Sequence, residues 1–170
     1  PRPRTMTEKP IARDAHIITG TMIFGILFNG LYQVVILFLA LFGGWFLSPV
    51  EKYNGAIAAS SPEYLEHNLP ALTVFFTIFV MFQFWHKFNC RALRHGDRPF
   101  ELLHKNIQIV VIVTSITLVQ AAMVQIHAVG IFFRTCPLSA GQWLGITALT
   151  ASILPVAWIG RILAEKLHLS

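Results

Sequence analysis

From Ala15 to Val50 the chain carries no Lys, Arg, Asp or Glu. An uncharged, mostly apolar run of this length has few places to go. Its apolar part, Ile17–Leu47, exceeds the roughly 20 residues that cross the hydrocarbon core of a bilayer. Further runs follow at Ala71–Trp85, Asn106–Phe132 and Gln142–Leu163, none of which contains Asp or Glu. Only 12% of the 170 residues are charged, about half the share usual in a soluble domain. With a mean hydropathy of +0.61, the pattern reads as an integral membrane protein.

The expected fold is therefore all-α, a four-helix membrane bundle with helices at about 17–47, 70–86, 106–132 and 142–163. Residues 1–16 form a polar connector and 164–170 a short tail. Gly43 and Gly44 mark the far end of the first helix, with Trp45 as an interfacial anchor. Pro70 is placed to open the second helix, a favoured first-turn position for proline. Pro155 falls inside the fourth, where it kinks the helix and frees a carbonyl.

Basic residues set the expected orientation. Four (Arg2, Arg4, Lys9, Arg13) precede the first helix, and five (Lys87, Arg91, Arg94, Arg98, Lys105) sit on the middle turn. Two more (Arg161, Lys166) lie in the tail, whereas the intervening loops hold only Lys52 and Arg134. This positive-inside asymmetry puts both termini and the middle turn in the cytoplasm. The net charge of +5 does not imply nucleic acid, because the basic residues flank apolar runs instead of forming a stripe on a polar surface. The two cysteines, Cys90 and Cys136, then fall on opposite sides of the bilayer and do not pair. The chain starts at Pro1 without an initiator Met, so a processed product or a piece of a longer protein is expected.

Polar residues at bilayer depth tend to face a bundle interior or a water-filled path. Asn29 and Gln33, four apart, share a face of the first helix. Thr73 and Thr77 do so on the second; Thr114, Thr117 and Gln120 fall along one side of the third. Most of these are expected to make interhelical hydrogen bonds, with Gln83 the best candidate to line a cation path. Hard cations prefer anionic oxygens, and the membrane runs supply none, which argues against an autonomous transporter. The seven histidines, His16, His67, His86, His95, His104, His127 and His168, all lie near helix ends or in loops. A haem between His86 and His104, or a metal at His86 and Cys90, is the less favoured reading. No nucleophile–base constellation, phosphate-binding glycine loop or DKTGT motif occurs.

Three stretches carry a family resemblance. The first is the Arg2–Arg4 lead with Leu31–Gln33 (LYQ), and the second is Thr73–Leu93, with Gln83, Phe88, Asn89 and Arg91 on pattern. The third is Phe132–Leu144, FFRTCPLSAGQWL. Together they resemble the last four transmembrane helices of a P-type calcium-transporting ATPase, of the plasma-membrane or autoinhibited branch. The resemblance implies a supporting module without catalytic activity of its own, embedded in lipid beside the pump's upstream helices. It implies a plasma or cell inner membrane location, calcium reached through the parent pump, and Mg and ATP used there and not by these residues. It also sets Gln83 where two-site pumps carry a Glu ligand. A neutral amide is a weaker calcium ligand than a carboxylate, and the departure fits a one-site pump. A stand-alone four-helix structural or regulatory subunit is the alternative.

Overall fold

A computed structural model describes residues 20–90 and 107–167. The connector, Ile17–Thr19, Arg91 and the rest of the basic middle turn, and His168–Ser170 lie outside the described residues. The described residues form six helices: α1 Gly20–Gly43, α2 Pro62–Asn89, α3 Ile107–Gln125, α4 His127–Phe133, α5 Ala140–Ala151 and α6 Ile153–Lys166. Among the described residues four spans are long and apolar enough to cross a membrane: α1, α2, α3 and the α5–α6 pair, Ala140–Lys166. At 1.5 Å per residue they run from about 28 to about 42 Å, the scale of a bilayer.

The first helix stops at Gly43, four residues short of the expected Leu47. Gly44 takes a left-handed φ of 63°, and the Trp45 amide bonds back to the Ala40 carbonyl at 3.1 Å. That is the glycine-terminated cap which closes many helices. Phe46 is also left-handed, at φ 64°, so the chain turns sharply before the loop. Within that loop Glu51 accepts from the Ser48 hydroxyl at 2.6 Å and the Ser48 amide at 3.1 Å. These two bonds hold its carboxyl below the ordinary carboxylate range.

The second helix begins at Pro62, not near Pro70. Ser61 caps it, accepting from the Glu63 amide at 3.3 Å, and Pro62 fills the first turn where no amide is needed. Glu63 adds a negative charge at the positive end of the helix dipole. Pro70 is therefore interior; it withholds an amide from the Glu66 carbonyl, yet the helix continues. Fully buried Asn68 ties the preceding loop down by exchanging bonds with the Asn54 backbone at 2.7 and 3.3 Å.

The helices expected at 106–132 and 142–163 are each interrupted. Ile126 adopts an extended conformation between α3 and α4. The Met123 carbonyl, which a continuous helix would pair with the His127 amide, is taken by the Thr135 hydroxyl. Gln125 bonds both the amide and the carbonyl of Leu138, at 3.0 and 3.1 Å. A break here therefore leaves few polar groups unserved. Between α5 and α6 the break falls at Ser152, three residues before Pro155. Proline cannot donate to the Ala151 carbonyl, and the Ser152 amide shifts to a tighter bond with Leu149 at 3.2 Å. The interruption thus lies within one turn of Pro155.

Helix α2 is the spine. It packs on α1, α3, α5 and α6, while α1 also lies along α6. The core gathers Val74, Ile78 and Phe82 of α2, Val124, Ile146 and Ile153, all at most 1% exposed. Large apolar side chains such as Ile26, Leu31 and Phe42 of α1 and Leu118 and Val119 of α3 face outward, as a bilayer allows. At α5 a capping box closes the entry: Ser139 accepts from the Gln142 amide at 3.2 Å, and Gln142 accepts from the Ser139 amide at 2.7 Å. Ser139→Ala is expected to lower stability by about 1 kcal/mol, read as a small drop in thermal midpoint of the detergent-solubilised protein.

Candidate functional site

The candidate site is a set of neutral side chains that cross between helices, most of them anchored on α2. Gln83 donates from Nε2 to Oε1 of Gln33 at 3.1 Å, joining α2 to α1. Six residues earlier on α2, Thr77 accepts from Gln120 Nε2 at 3.2 Å, joining it to α3. Thr73 accepts from the Cys136 amide at 3.2 Å, joining it to the loop after α4. Asn89 donates from Nδ2 to the Ile153 carbonyl at 3.2 Å, at the start of α6. Each threonine also donates to a carbonyl one turn back, at Leu69 and Thr73, both 2.8 Å. Such a hydroxyl satisfies itself locally and still offers its oxygen to a neighbour.

Away from α2, the hydroxyls of Tyr32 and Ser152 share a 2.6 Å bond that fixes α1 at the α5–α6 break. Gln142 Nε2 bonds the Phe46 carbonyl at 2.8 Å and holds the turn after α1. Small residues let the helices approach at two crossings. A Cβ at Gly160 would stand 2.8 Å from Phe28 Cδ1, and one at Gly145 would stand 2.5 Å from Phe46 Cε1. Glycine gives close packing where apolar surface gives no advantage over lipid.

The residues singled out in the sequence divide. Gln33 and Gln120 make interhelical bonds, and Gln83, the candidate to line a cation path, bonds Gln33. Asn29 is buried, but its amide donates to the Gly25 carbonyl of its own helix at 2.7 Å. Thr117 bonds the Val113 carbonyl of its own helix at 3.0 Å and is exposed. Three-residue steps fall short of a helical turn by about 60° each, so Thr114 and Thr117 rotate away from Gln120. Asn89, expected in a turn, is the last residue of α2. Arg91 lies outside the described residues. Sequence reading missed Tyr32–Ser152, Asn54–Asn68 and Gln142–Phe46; of the residues involved only Gln142 carried a local signal, through its Ser139-x-x-Gln142 capping box.

The network is uncharged. Hydrogen bonds of this sort between membrane helices contribute about 0.6–1.7 kcal/mol each. They set helix rotation and register, and they present no anionic oxygen to a hard cation. Among the described residues no group of three or more His, Cys, Asp or Glu side chains could hold a metal. Cys90 and Cys136 are both free thiols.

Comparison with known proteins agrees with this architecture. Residues 1–163 match the family described as cation transporting ATPase, C-terminus. The chain is 33% identical over 145 residues to plasma membrane calcium-transporting ATPase 3 of Homo sapiens, covering 85% of this chain and 11% of that protein. It is 32% identical over 145 residues to plasma membrane calcium-transporting ATPase 1 of Gallus gallus, with 85% and 11% covered. The chain thus spans about a tenth of the length of the curated relatives it matches. On these matches, the chain belongs to the cation-transporting ATPase C-terminal family.

Proposed function

We propose that this chain is the C-terminal membrane module of an ATP-driven calcium pump and that it acts by holding the transport helices in place. The observation that carries the reading is the neutral, interlocked polar network. Its members reach across helices and are engaged with one another or with backbone. A module built this way stiffens a bundle and anchors it in lipid; it does not strip water from a divalent ion. The aspartate that takes the phosphoryl group, the nucleotide site with its Mg, and the calcium ligands belong to other parts of the pump. The distribution of Lys and Arg supports cytoplasmic termini, and the relatives' names support a plasma membrane.

The test is made on native membranes with an antibody to the Asn89–Lys105 segment. The expected band lies several-fold above 19.1 kDa and takes up phosphate from ATP only when calcium is present, in a hydroxylamine-sensitive bond. A band at 19.1 kDa without phosphoenzyme would overturn the reading and favour a stand-alone structural subunit.

A further inference from the structure

The break at Ile126 leaves a space at one end of the bundle. Ile126 is extended, so α4 does not continue the line of α3. A cavity of about 570 Å³ lies between α4, the loop after it and the first two turns of α2. Its wall is largely apolar, with Leu65, Leu69, Val124 and Ile131. Glu66, His127 and Arg134 stand on the same lining, all three exposed. The cavity sits at the start of α2 and the end of α3, whereas residues 91–106 join the opposite ends of those helices.

Among the described residues the Glu66 carboxylate, the His127 ring and the Arg134 guanidinium have no hydrogen-bond or ion-pair partner. Glu66 and Arg134 thus bring opposite charges to one cavity without pairing with each other. A ligand of a single charge is attracted by one and repelled by the other. A ligand of both signs suits both, since a guanidinium takes phosphate through two parallel N–H bonds and a carboxylate takes a cationic nitrogen. The backbone that carries Arg134 is set by its turn. Its φ is 54°, a conformation that glycine usually supplies, and the next amide, of Thr135, bonds the Gly130 carbonyl at 2.9 Å. The surroundings belong to a membrane boundary. Glu66 lies one turn before Pro70, where the apolar run of α2 opens. Ile131 and Phe132, just before Arg134, are 68% and 80% exposed. A surface apolar on one side and charged on the other fits the level of headgroups.

We propose that this cavity seats the headgroup of a zwitterionic phospholipid, its phosphate on Arg134 and its cationic nitrogen on Glu66. The start of an acyl chain covers the apolar wall. This assignment does not depend on calcium transport.

The test uses the full protein that carries this chain, purified in a non-ionic detergent, and reads the cavity through Cys136. That thiol is free and lies on the same lining, so an occupant shields it from N-ethylmaleimide. Peptide mass mapping follows the modification of Cys136 as lipid is added. Phosphatidylcholine is expected to protect the thiol. Phosphatidylglycerol and diacylglycerol with the same acyl chains should need at least about tenfold more lipid for equal protection. Glu66→Gln should bring phosphatidylglycerol level with phosphatidylcholine, and Arg134→Gln should weaken both. The two side chains are exposed, so the thermal midpoints of these variants should match the parent's, and the parent series decides by itself. Equal protection by phosphatidylcholine and phosphatidylglycerol in the parent, or protection by neither, would overturn the proposal. Equal protection by soluble glycerophosphocholine at the same concentration would overturn the lipid as the source.

Discussion

Phe82→Ala is expected to destabilise the module by about 3 kcal/mol, the low end of the range for deleting a buried aromatic ring. Phe82 is 0% exposed, sits in the core beside Ile78 and packs edge-on against Tyr32 with ring centroids 6.1 Å apart. In water, part of such a loss is transfer of the ring out of solvent. In a bilayer the alternative environment is as apolar as the core, so what is lost is dispersion contact and what remains is a cavity. The Ala change also loosens Tyr32, whose hydroxyl holds Ser152 at 2.6 Å, so the α5–α6 break should become more mobile. Thermal unfolding in detergent reads the effect, with Phe82→Leu expected to cost less than about 1.5 kcal/mol because it keeps most of the volume. An Ala variant as stable as the parent would show that α2 does not organise the core.

Gly145→Val is expected to cost about 1–3 kcal/mol by overpacking. Its Cβ would fall 2.5 Å from Phe46 Cε1, so the ring must move. Phe46 has little freedom to yield. Its backbone is left-handed, and its carbonyl is held by Gln142 at 2.8 Å. Shifting it therefore disturbs both the turn after α1 and the start of α5. Phe46→Gly in the same background removes the obstructing ring and suits a positive φ. The double variant should recover most of the loss, a coupling readable as a double-mutant cycle. Equal melting of parent and Gly145→Val would mean that the two segments are not in contact.

The number of spans was legible because it depends only on the length of apolar runs. The caps and breaks were less so. Ser61-Pro62-Glu63 and Pro70 both carry the marks of a helix start, and the apolar run points to the later one. The true start lies in a polar segment, where hydropathy is silent and only the capping chemistry of Ser61 speaks. The break at Ile126 has no proline or glycine to announce it. It follows from the Thr135 hydroxyl serving the Met123 carbonyl and the Gln125 side chain serving the Leu138 backbone, and those contacts span up to 13 residues. The Ser152 break was foreshadowed, since Pro155 removes a donor.

Which polar side chains meet was harder still. Gln33 and Gln83 are 50 residues apart, and their pairing depends on how each helix is rotated. For a soluble helix the apolar stripe reveals that rotation. Here the outer face of α1, with Ile26, Leu27 and Leu31 toward lipid, is as apolar as the inner one. The polar residues themselves are the remaining signal. It pointed to the interhelical bonds of Gln33 and Gln120 and not to the local one of Thr117, which a membrane helix tolerates on its outer face because the hydroxyl bonds its own backbone.

The central claim is that this module supports a cation site without supplying ligands to it, and Gln83 tests that most directly. In the full pump, Gln83→Leu removes the bond to Gln33 and should cost about 0.6–2 kcal/mol of stability. The concentration of calcium giving half-maximal phosphoenzyme should stay within about twofold of the parent, since support and ligation are separable free energies. The measurement is a pair of curves on one preparation, thermal midpoint and calcium dependence. A lower midpoint with unchanged calcium affinity is the predicted result. Calcium affinity weakened tenfold or more, about 1.4 kcal/mol, with an unchanged midpoint would make Gln83 a ligand and contradict the account.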